Sequence, residues 1–584
     1  MAARRIIPIS KDEFSRMLEK CNPPPGWSGS IGVANSGGPD STCLLFLLNR
    51  YLANRASEQA PHYSAPQKVL SLTIDHDLQP SSAAMAEHCS KFALSIGVDH
   101  ITQKINWSEP PYPPRPSPGD TFEKVARDAR YHALFESVTR EDIGLLAFGH
   151  HADDQVETSL MRLGRGSKEI GAGGMRSCRR WGMGIGREGS LGWTGYEGMK
   201  RWIIRPLLDI SKDRIFATCE DNNLNYITDS TNFQPHITLR NALRHTLANN
   251  KNILQPGHEA MPPDIAQKLN DIETAVAALD SVSISLRSKP EELRSAVSQL
   301  TSNVVDIDRQ VDANLKRCTL PSPPGTHLVS IAGLSRVHDE TIRHAMILRI
   351  MRCVSFHPWG SLRADGDRRQ RRIAQIAENL WVPNPFAKKI RMFVAGGGVL
   401  WTPVTVKDGR IRTPDRIFAG GVAEDGRYAW LASRQPPLHR SKMEALGETS
   451  TLEINITSHL VRALRGWKAG APSTIEILYD CRFIITFDLN KMPKGLAQGI
   501  ETPNTKEKIL ILSNTRWYWP QVVREWFSLK TVLHSEIDHK PVNTFLSAVQ
   551  KNIEFDHTVA WKLRENPISA EWINIKWIRP LDAI

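Results

Sequence analysis

Residues 33–48 read VANSGGPDSTCLLFLL. An apolar run halts at Ser36-Gly37-Gly38, turns through Pro39-Asp40-Ser41, and resumes at once as a second apolar run. Two core-seeking segments joined by so short a glycine turn leave few folds open. SIGVANS reads as a short buried strand and DSTCLLFLLNRYL as a helix. The glycine pair lets the backbone come close to a ligand. The amides of the helix N-terminus point at one spot, where the helix dipole adds positive potential, so an anion fits there, phosphate above all. A plain strand–helix turn is the other reading of the same residues. The loop lacks the Gly-Lys-Ser/Thr of a Walker A motif, and it is not Gly-x-Gly-x-x-Gly.

The alternation continues. KVLSLTIDH is a second strand, SSAAMAEHCSKFALSIG a helix closing at Gly97, and HITQKINW a third strand. A proline-rich loop, SEPPYPPRPSPGD, cannot be regular structure. The helix TFEKVARDARYHALFESV, the strand GLLAFGHH and the helix ADDQVETSLMRLG follow. Strands separated by helices of this length predict an α/β fold with a doubly wound parallel sheet, whose ligands bind outside the carboxyl ends of the strands. Three polar clusters should therefore share one rim: Ser36–Ser41 after strand one, Asp75 and His76 ending strand two, and His150 and His151 ending strand four.

At 584 residues the chain is too long for one core. A formal net charge of +12 and a pI of about 9.3 favour an anionic partner, nucleic acid first, against the bland reading of a solvated basic surface. The eight cysteines are scattered with no Cys-x-x-Cys, which argues against zinc or iron–sulfur sites and for a reducing compartment. No apolar run is long enough to cross a bilayer, so no membrane association is expected. Arg4, Arg5 and Lys11 at the start could be a vestigial mitochondrial address. The expected location is thus mitochondrial, otherwise cytoplasmic. SKDEFSRMLEKC, directly after, reads as an ordinary capped amphipathic helix.

SGGPDS resembles the pyrophosphate loop of the N-type ATP pyrophosphatases. Together with IDHDLQPSSAAMAEHC, ARDARYHALF, GHHADDQVETSLMRLGRGS, RPLLDISKDRI and DSTNFQPHITLRNALRH, in that order, it resembles the tRNA(Ile)-lysidine synthase family over roughly residues 28–250. The likeness is fainter in the helical stretch that follows and little more than compositional beyond about 400. Three positions depart from the family pattern: Asn35 stands for a small residue, Asp77 for a glycine and Gln79 for an arginine. The insertion RSCRRWGMGIGREGSLGWTGYEGMKRW is longer than the resemblance requires and reads as a mobile loop.

The resemblance implies a ligase forming a carbon–nitrogen bond. ATP, with Mg²⁺, would adenylate the C2 oxygen of the wobble cytidine of tRNA(Ile) carrying a CAU anticodon. The ε-amine of free L-lysine would then attack C2 and expel AMP. On this reading Ser36, Gly37, Gly38, Pro39, Asp40 and Ser41 hold phosphates, with Asp75 and His76 also at the nucleotide. Asp40 places the metal. Asp154 and Glu157, three apart on one helix face, hold the lysine ammonium and later take its proton. His150 orients one of them or touches the α-phosphate. Arg127 and Arg130 stabilise developing charge, and Asp153, turned away, is a partner of the helix dipole.

The implied division is a catalytic domain over 1–250, a helical tRNA-binding domain over 251–385 and an α+β region over 386–584 that also contacts tRNA. Asn232, Arg240, Asn241 and Arg244, and the cluster Arg363, Arg368, Arg369, Arg371 and Arg372, are candidate RNA contacts. Trp517, Trp519 and Trp526 read as core, with base stacking the minority reading. Two rivals stay open: a tRNA thiolase of the same superfamily, and a catalytically idle tRNA-binding protein.

Overall fold

In the computed structural model the opening motif folds as its pattern requires. The structure describes residues 6–57, 66–117, 122–186, 188–228, 239–249, 262–361, 370–385, 388, 390–407, 410–412, 427–437, 452–466, 473–502, 506–513, 518–526, 529–534, 555–556 and 570–582. Two compact units divide the chain, Met1–Asp306 and Ile307–Ala583.

The first unit is built on a six-stranded sheet. Its strands are β1 (Ser30–Ala34), β2 (Lys68–Asp75), β3 (Asp99–Lys104), β4 (Leu145–Ala147), β5 (Cys178–Arg180) and β6 (Trp202–Ile204), in the order β3-β2-β1-β4-β6-β5. Every pairing is parallel except β5 with β6. Helices α1 (Lys11–Glu19), α2 (Pro39–Ser57), α3 (Ser82–Ser95), α4 (Phe122–Arg140) and α5 (Ala152–Leu163) follow in turn. The Ser10 hydroxyl caps α1 by accepting from the Glu13 amide at 3.2 Å.

Side chains alternate across the strands. Ile31, Val33, Leu145, Ala147 and Ile204 join a core with α1, α2 and α3, while Leu70, Leu72, Leu146 and Ile203 join one with α4. Both faces are covered, which is why the strands are apolar throughout. The sheet reverses its order beside β1, so the ends of β1 and β4 flank a crevice of the kind where α/β sheets bind ligands.

Beyond α5 come two short helices, α6 (Glu169–Ala172) and α7 (Glu197–Lys200), then α8 (Lys212–Asp221), α9 (Leu239–Asn249), α10 (Pro263–Ala277) and α11 (Pro290–Cys318). Val156, Leu160 and Leu163 of α5 pack with Ala242 and Leu243 of α9, Ile265, Leu269 and Ile272 of α10 and Leu293 and Val297 of α11. The helices beginning at 263 therefore bury their apolar stripe on the same helix that carries Asp154 and Glu157. The insertion at 176–201 is not loop alone among its described residues. It holds β5 and α7, Leu191 packs with Trp107 and Tyr112, and the Gly192 amide donates to Nδ1 of His132 at 3.2 Å.

In the second unit, helices Glu340–Val354 and Gln370–Leu380 pack with Trp401 and Trp430 of a seven-stranded antiparallel sheet. That sheet already begins at Thr319–Leu320 and His327–Ser330, ahead of the helices. A four-stranded and a three-stranded sheet enclose a further core. Trp519 belongs to that core and donates to the Pro324 carbonyl at 2.6 Å, whereas Trp526 is exposed. Arg371 and Arg372 are exposed at the start of their helix. Asn232, Arg363, Arg368, Arg369 and Trp517 lie outside the described residues.

Candidate active site

The loop between β1 and α2 is shaped by its own side chains. Asn35, 2% exposed, donates through Nδ2 to the Ser71 hydroxyl at 3.1 Å and accepts at Oδ1 from the Gly37 amide (3.0 Å) and the Ser41 hydroxyl (3.2 Å). The Ser36 amide donates to Ser41 Oγ at 3.1 Å. Gly37 has φ +78, and a side chain there would also meet Cys89 Sγ at 3.0 Å, so the position needs glycine twice over. At Gly38 a Cβ would meet nothing nearer than Ser36 Oγ at 3.7 Å. That side of the loop has room for a phosphate beside the unpaired first-turn amides of α2.

Asp40, the second residue of α2, is held by a residue far away in sequence. Lys212, first in α8, brings Nζ to 2.5 Å from Asp40 Oδ1. The Lys212 amide donates to Asp153 Oδ2 at 2.9 Å, and Asp153 Oδ1 accepts from Arg294 Nε of α11 at 2.7 Å. Asp153 is thus a tie between helices as well as a first-turn acid. Gly149 closes the crevice from the β4 side: a Cβ there would lie 2.8 Å from the Asp40 carbonyl carbon.

His151 stands between the two helix starts. Its Nε2 lies 3.5 Å from Asp40 Oδ1 and 3.5 Å from Asp154 Oδ2. Asp154 Oδ2 also accepts from the His151 amide at 3.1 Å, which caps α5. Burial works against the ionised Asp154, but His151 and Arg244 outweigh it and hold the carboxyl down to about 2. Glu157, 1% exposed, accepts from Arg240 Nε at 2.9 Å and Arg244 Nε at 2.8 Å. Burial pushes its carboxyl up, and the two arginines pull it back. Asp154 and Glu157 do share one face, but Glu157 is filled by guanidinium groups from α9.

His150 stacks on Phe148 and accepts at Nδ1 from Arg205 Nε at 3.2 Å. Burial and Arg205 drive its pKa down to about 3, so the ring is neutral. On the β2 side the Asp77 amide donates to Asp75 Oδ1 at 2.9 Å, and Asp77 adopts φ +51. The glycine usual in the resembling family would relax this left-handed residue, and Asp is among the few side chains that tolerate it. His76 has a buried Nδ1 without a hydrogen-bond partner, and burial together with Arg130 lowers its pKa to about 4. Arg130 carries an unpartnered buried Nε of its own. Among the described residues no three His, Cys, Asp or Glu side chains could hold a metal by themselves. A magnesium ion would be held by Asp40 together with nucleotide phosphates and water.

The sequence signalled most of these positions, but not Lys212, Asn35 or Gly149 as parts of one site. The PP-loop domain family matches residues 10–251. Residues 10–251 are thus similar to a PP-loop domain. The PP-loop domain is similar to curated tRNA(Ile)-lysidine synthases. The one from Methylobacterium nodulans is 29% identical over 48% of this chain and 71% of its own length. The one from a Bradyrhizobium species is 32% identical over 47% and 64%, and that from Alkalilimnicola ehrlichii 35% over 41% and 44%. The match thus spans less than two thirds of the latter two. These relatives are bacterial and lend the mitochondrial expectation no support. A solved U34-tRNA thiolase NcsA from Methanococcus maripaludis aligns at a TM-score of 0.28 and 16% identity, over 49% of this chain and 88% of that one, too slight a likeness to bear on the reaction. No helix among the described residues is long and apolar enough to cross a membrane.

Proposed function

We propose that the chain is a tRNA(Ile)-lysidine synthase. ATP adenylates the C2 oxygen of the wobble cytidine in tRNA(Ile) with a CAU anticodon, releasing pyrophosphate. The ε-amine of lysine then attacks C2 and AMP leaves. The observation that carries this reading is the meeting of the phosphate loop and the acidic start of α5 across His151, 3.5 Å from Asp40 and 3.5 Å from Asp154. An anionic nucleotide and a cationic amine can thus be held side by side.

The backbone of Ser36–Ser41 cradles the phosphates, and Asp75 and His76 line the nucleotide at the end of β2. Lys212 is a cation within reach of the same phosphates, a part the loop itself lacks. Asp154, kept ionised, accepts the lysine ammonium and takes its proton. Glu157 supports it from behind by fixing Arg240 and Arg244. Arg127 and Arg130 stabilise charge at the adenylated oxygen, and neutral His150, whose Nδ1 accepts from Arg205, offers its Nε2–H as a donor.

The test is incubation of the full chain with ATP, a CAU-anticodon tRNA(Ile) transcript and labelled lysine. Label retained on RNA, with AMP and pyrophosphate as products, supports the reading. ADP and inorganic phosphate as stoichiometric products, or sulfur incorporation in place of lysine, overturns it.

A further inference from the structure

Beyond β6 the α4 face of the sheet gathers arginines of which the chemistry above uses only Arg127 and Arg130. Arg179 of β5 pairs with Ile203 of β6 and shares its face, and Arg205 returns to that face two residues later. Arg127 and Arg130 hold their guanidinium carbons 5.8 and 5.9 Å from the ring of Tyr131 in α4. Tyr131 stacks on Phe148 at 5.5 Å, and Phe148 on His150 at 5.4 Å.

The partners of these cations are dipoles. Arg205 donates to His150 and, through Nη1, to the Arg176 carbonyl at 2.9 Å. Arg179 Nη1 donates to the Arg180 and Trp181 carbonyls at 3.0 and 3.1 Å. Arg162 of α5 donates to the Gly171 and Gly174 carbonyls. Among the described residues none of Arg127, Arg130, Arg162, Arg179 and Arg205 has a carboxylate within ion-pair distance; Asp128 acts on Arg127, and Glu123 on Arg130, only from farther away. Arg205 is almost wholly buried. Burial and the neighbouring Arg179 lower its pKa to about 10.

Part-buried cations lose hydration and repel one another, and carbonyl dipoles compensate only part of that cost. A bound anion removes the imbalance. Nucleotide phosphates are already provided for at α2, which packs on the opposite face of the sheet. We propose that Arg162, Arg179 and Arg205, with Arg127 and Arg130 at the rim, form a seat for a backbone phosphate of single-stranded RNA next to the base being modified. The assignment rests on the tRNA reading above.

The experiment measures binding of a CAU anticodon stem-loop RNA to the full chain across a salt series, with ATP binding on the same preparations. Arg162→Gln and Arg179→Gln should each weaken RNA binding about tenfold at moderate salt. Each should also flatten the slope of log affinity against log salt by about 0.7, the loss of one single-strand phosphate contact. Arg179→Lys should keep the slope, since it keeps the charge, although a lysine cannot hold both carbonyls. ATP binding should not change. Unaltered RNA affinity and slope in the glutamine variants would mean that the arginines only tie carbonyls together, and the proposal fails. Loss of ATP binding without loss of RNA binding would give the phosphate to the nucleotide and also overturn it. A wild-type chain that binds ATP but no RNA would overturn the tRNA reading itself, a result distinct from either.

Discussion

Glu157→Gln separates two roles that the spacing of Asp154 and Glu157 cannot tell apart. If Glu157 holds arginines, the substitution is first a stability defect. Breaking a buried ion pair costs about 3–5 kcal/mol when the remaining charge is left without water. Here the remaining charges are Arg240 and Arg244, whose side chains are 23% and 36% exposed, so water takes back part of that cost. Glutamine keeps one acceptor oxygen, but turns an N–H₂ toward a guanidinium. The net expectation is a loss of about 2 kcal/mol. For a unit of about 300 residues, at about 2 cal/mol/K of unfolding entropy per residue, that lowers Tm by roughly 3 °C. The assay is thermal and urea unfolding of wild type and variant, followed by lysine incorporation over a concentration series on the same preparations. Wild-type stability with a lysine KM raised ten- to a hundredfold, to use approximate bounds for one charge-assisted bond, would refute the argument. Glu157 would then face the amine.

Three further outcomes follow from the same geometry. Lys212→Met should weaken ATP binding about tenfold, because Asp40 then stands unneutralised beside the phosphates, and Lys212→Arg should restore most of it; calorimetry decides, and an unchanged affinity sinks the role given to Lys212. Gly149→Ala should destabilise the chain by about 1–3 kcal/mol and disturb ATP binding together with it, since the new methyl meets the Asp40 backbone and not a yielding side chain; chemical denaturation measures it. Stability should fall as pH drops below about 6.5, because the unfolded chain protonates His76 and His150 while the folded one, with values of about 4 and about 3, does not. Asp154 should add a further loss from about 4 down to about 2, as its depressed folded value is passed. Urea midpoints that stay flat from pH 7 to pH 4 would contradict the histidine environments.

What was legible in the chain was what is local. Period-two and helical patterns marked β1–β4 and α1–α5, and the rim rule brought Ser36–Ser41, Asp75, His76, His150 and His151 to one end of the sheet. The pairing of Lys212 with Asp40 spans 172 residues and carries no local signal. Glu157 read as an open carboxylate because helix spacing says which face a residue occupies, not which distant arginines fill it. Asp153 read as a dipole partner for the same reason. The short strands at 178–180 and 327–330 are too brief for a pattern to show, so neither was read as a strand. Asn35 looked like a departure from a family habit, and its amide turned out to organise the loop.

That amide has a kinetic side. Because Asn35 Oδ1 already holds the Gly37 amide and the Ser41 hydroxyl, and the Ile227 amide donates to the Gly37 carbonyl at 2.8 Å, the loop stands in its curved shape as soon as the chain has folded. The conformational entropy of ordering it is lost once, in folding, and not again at each encounter with a nucleotide. Its Ser36 and Gly37 amide protons should therefore exchange slowly with solvent even before anything binds, at rates tied to opening of the β1–β2 pairing and not to arrival of a ligand.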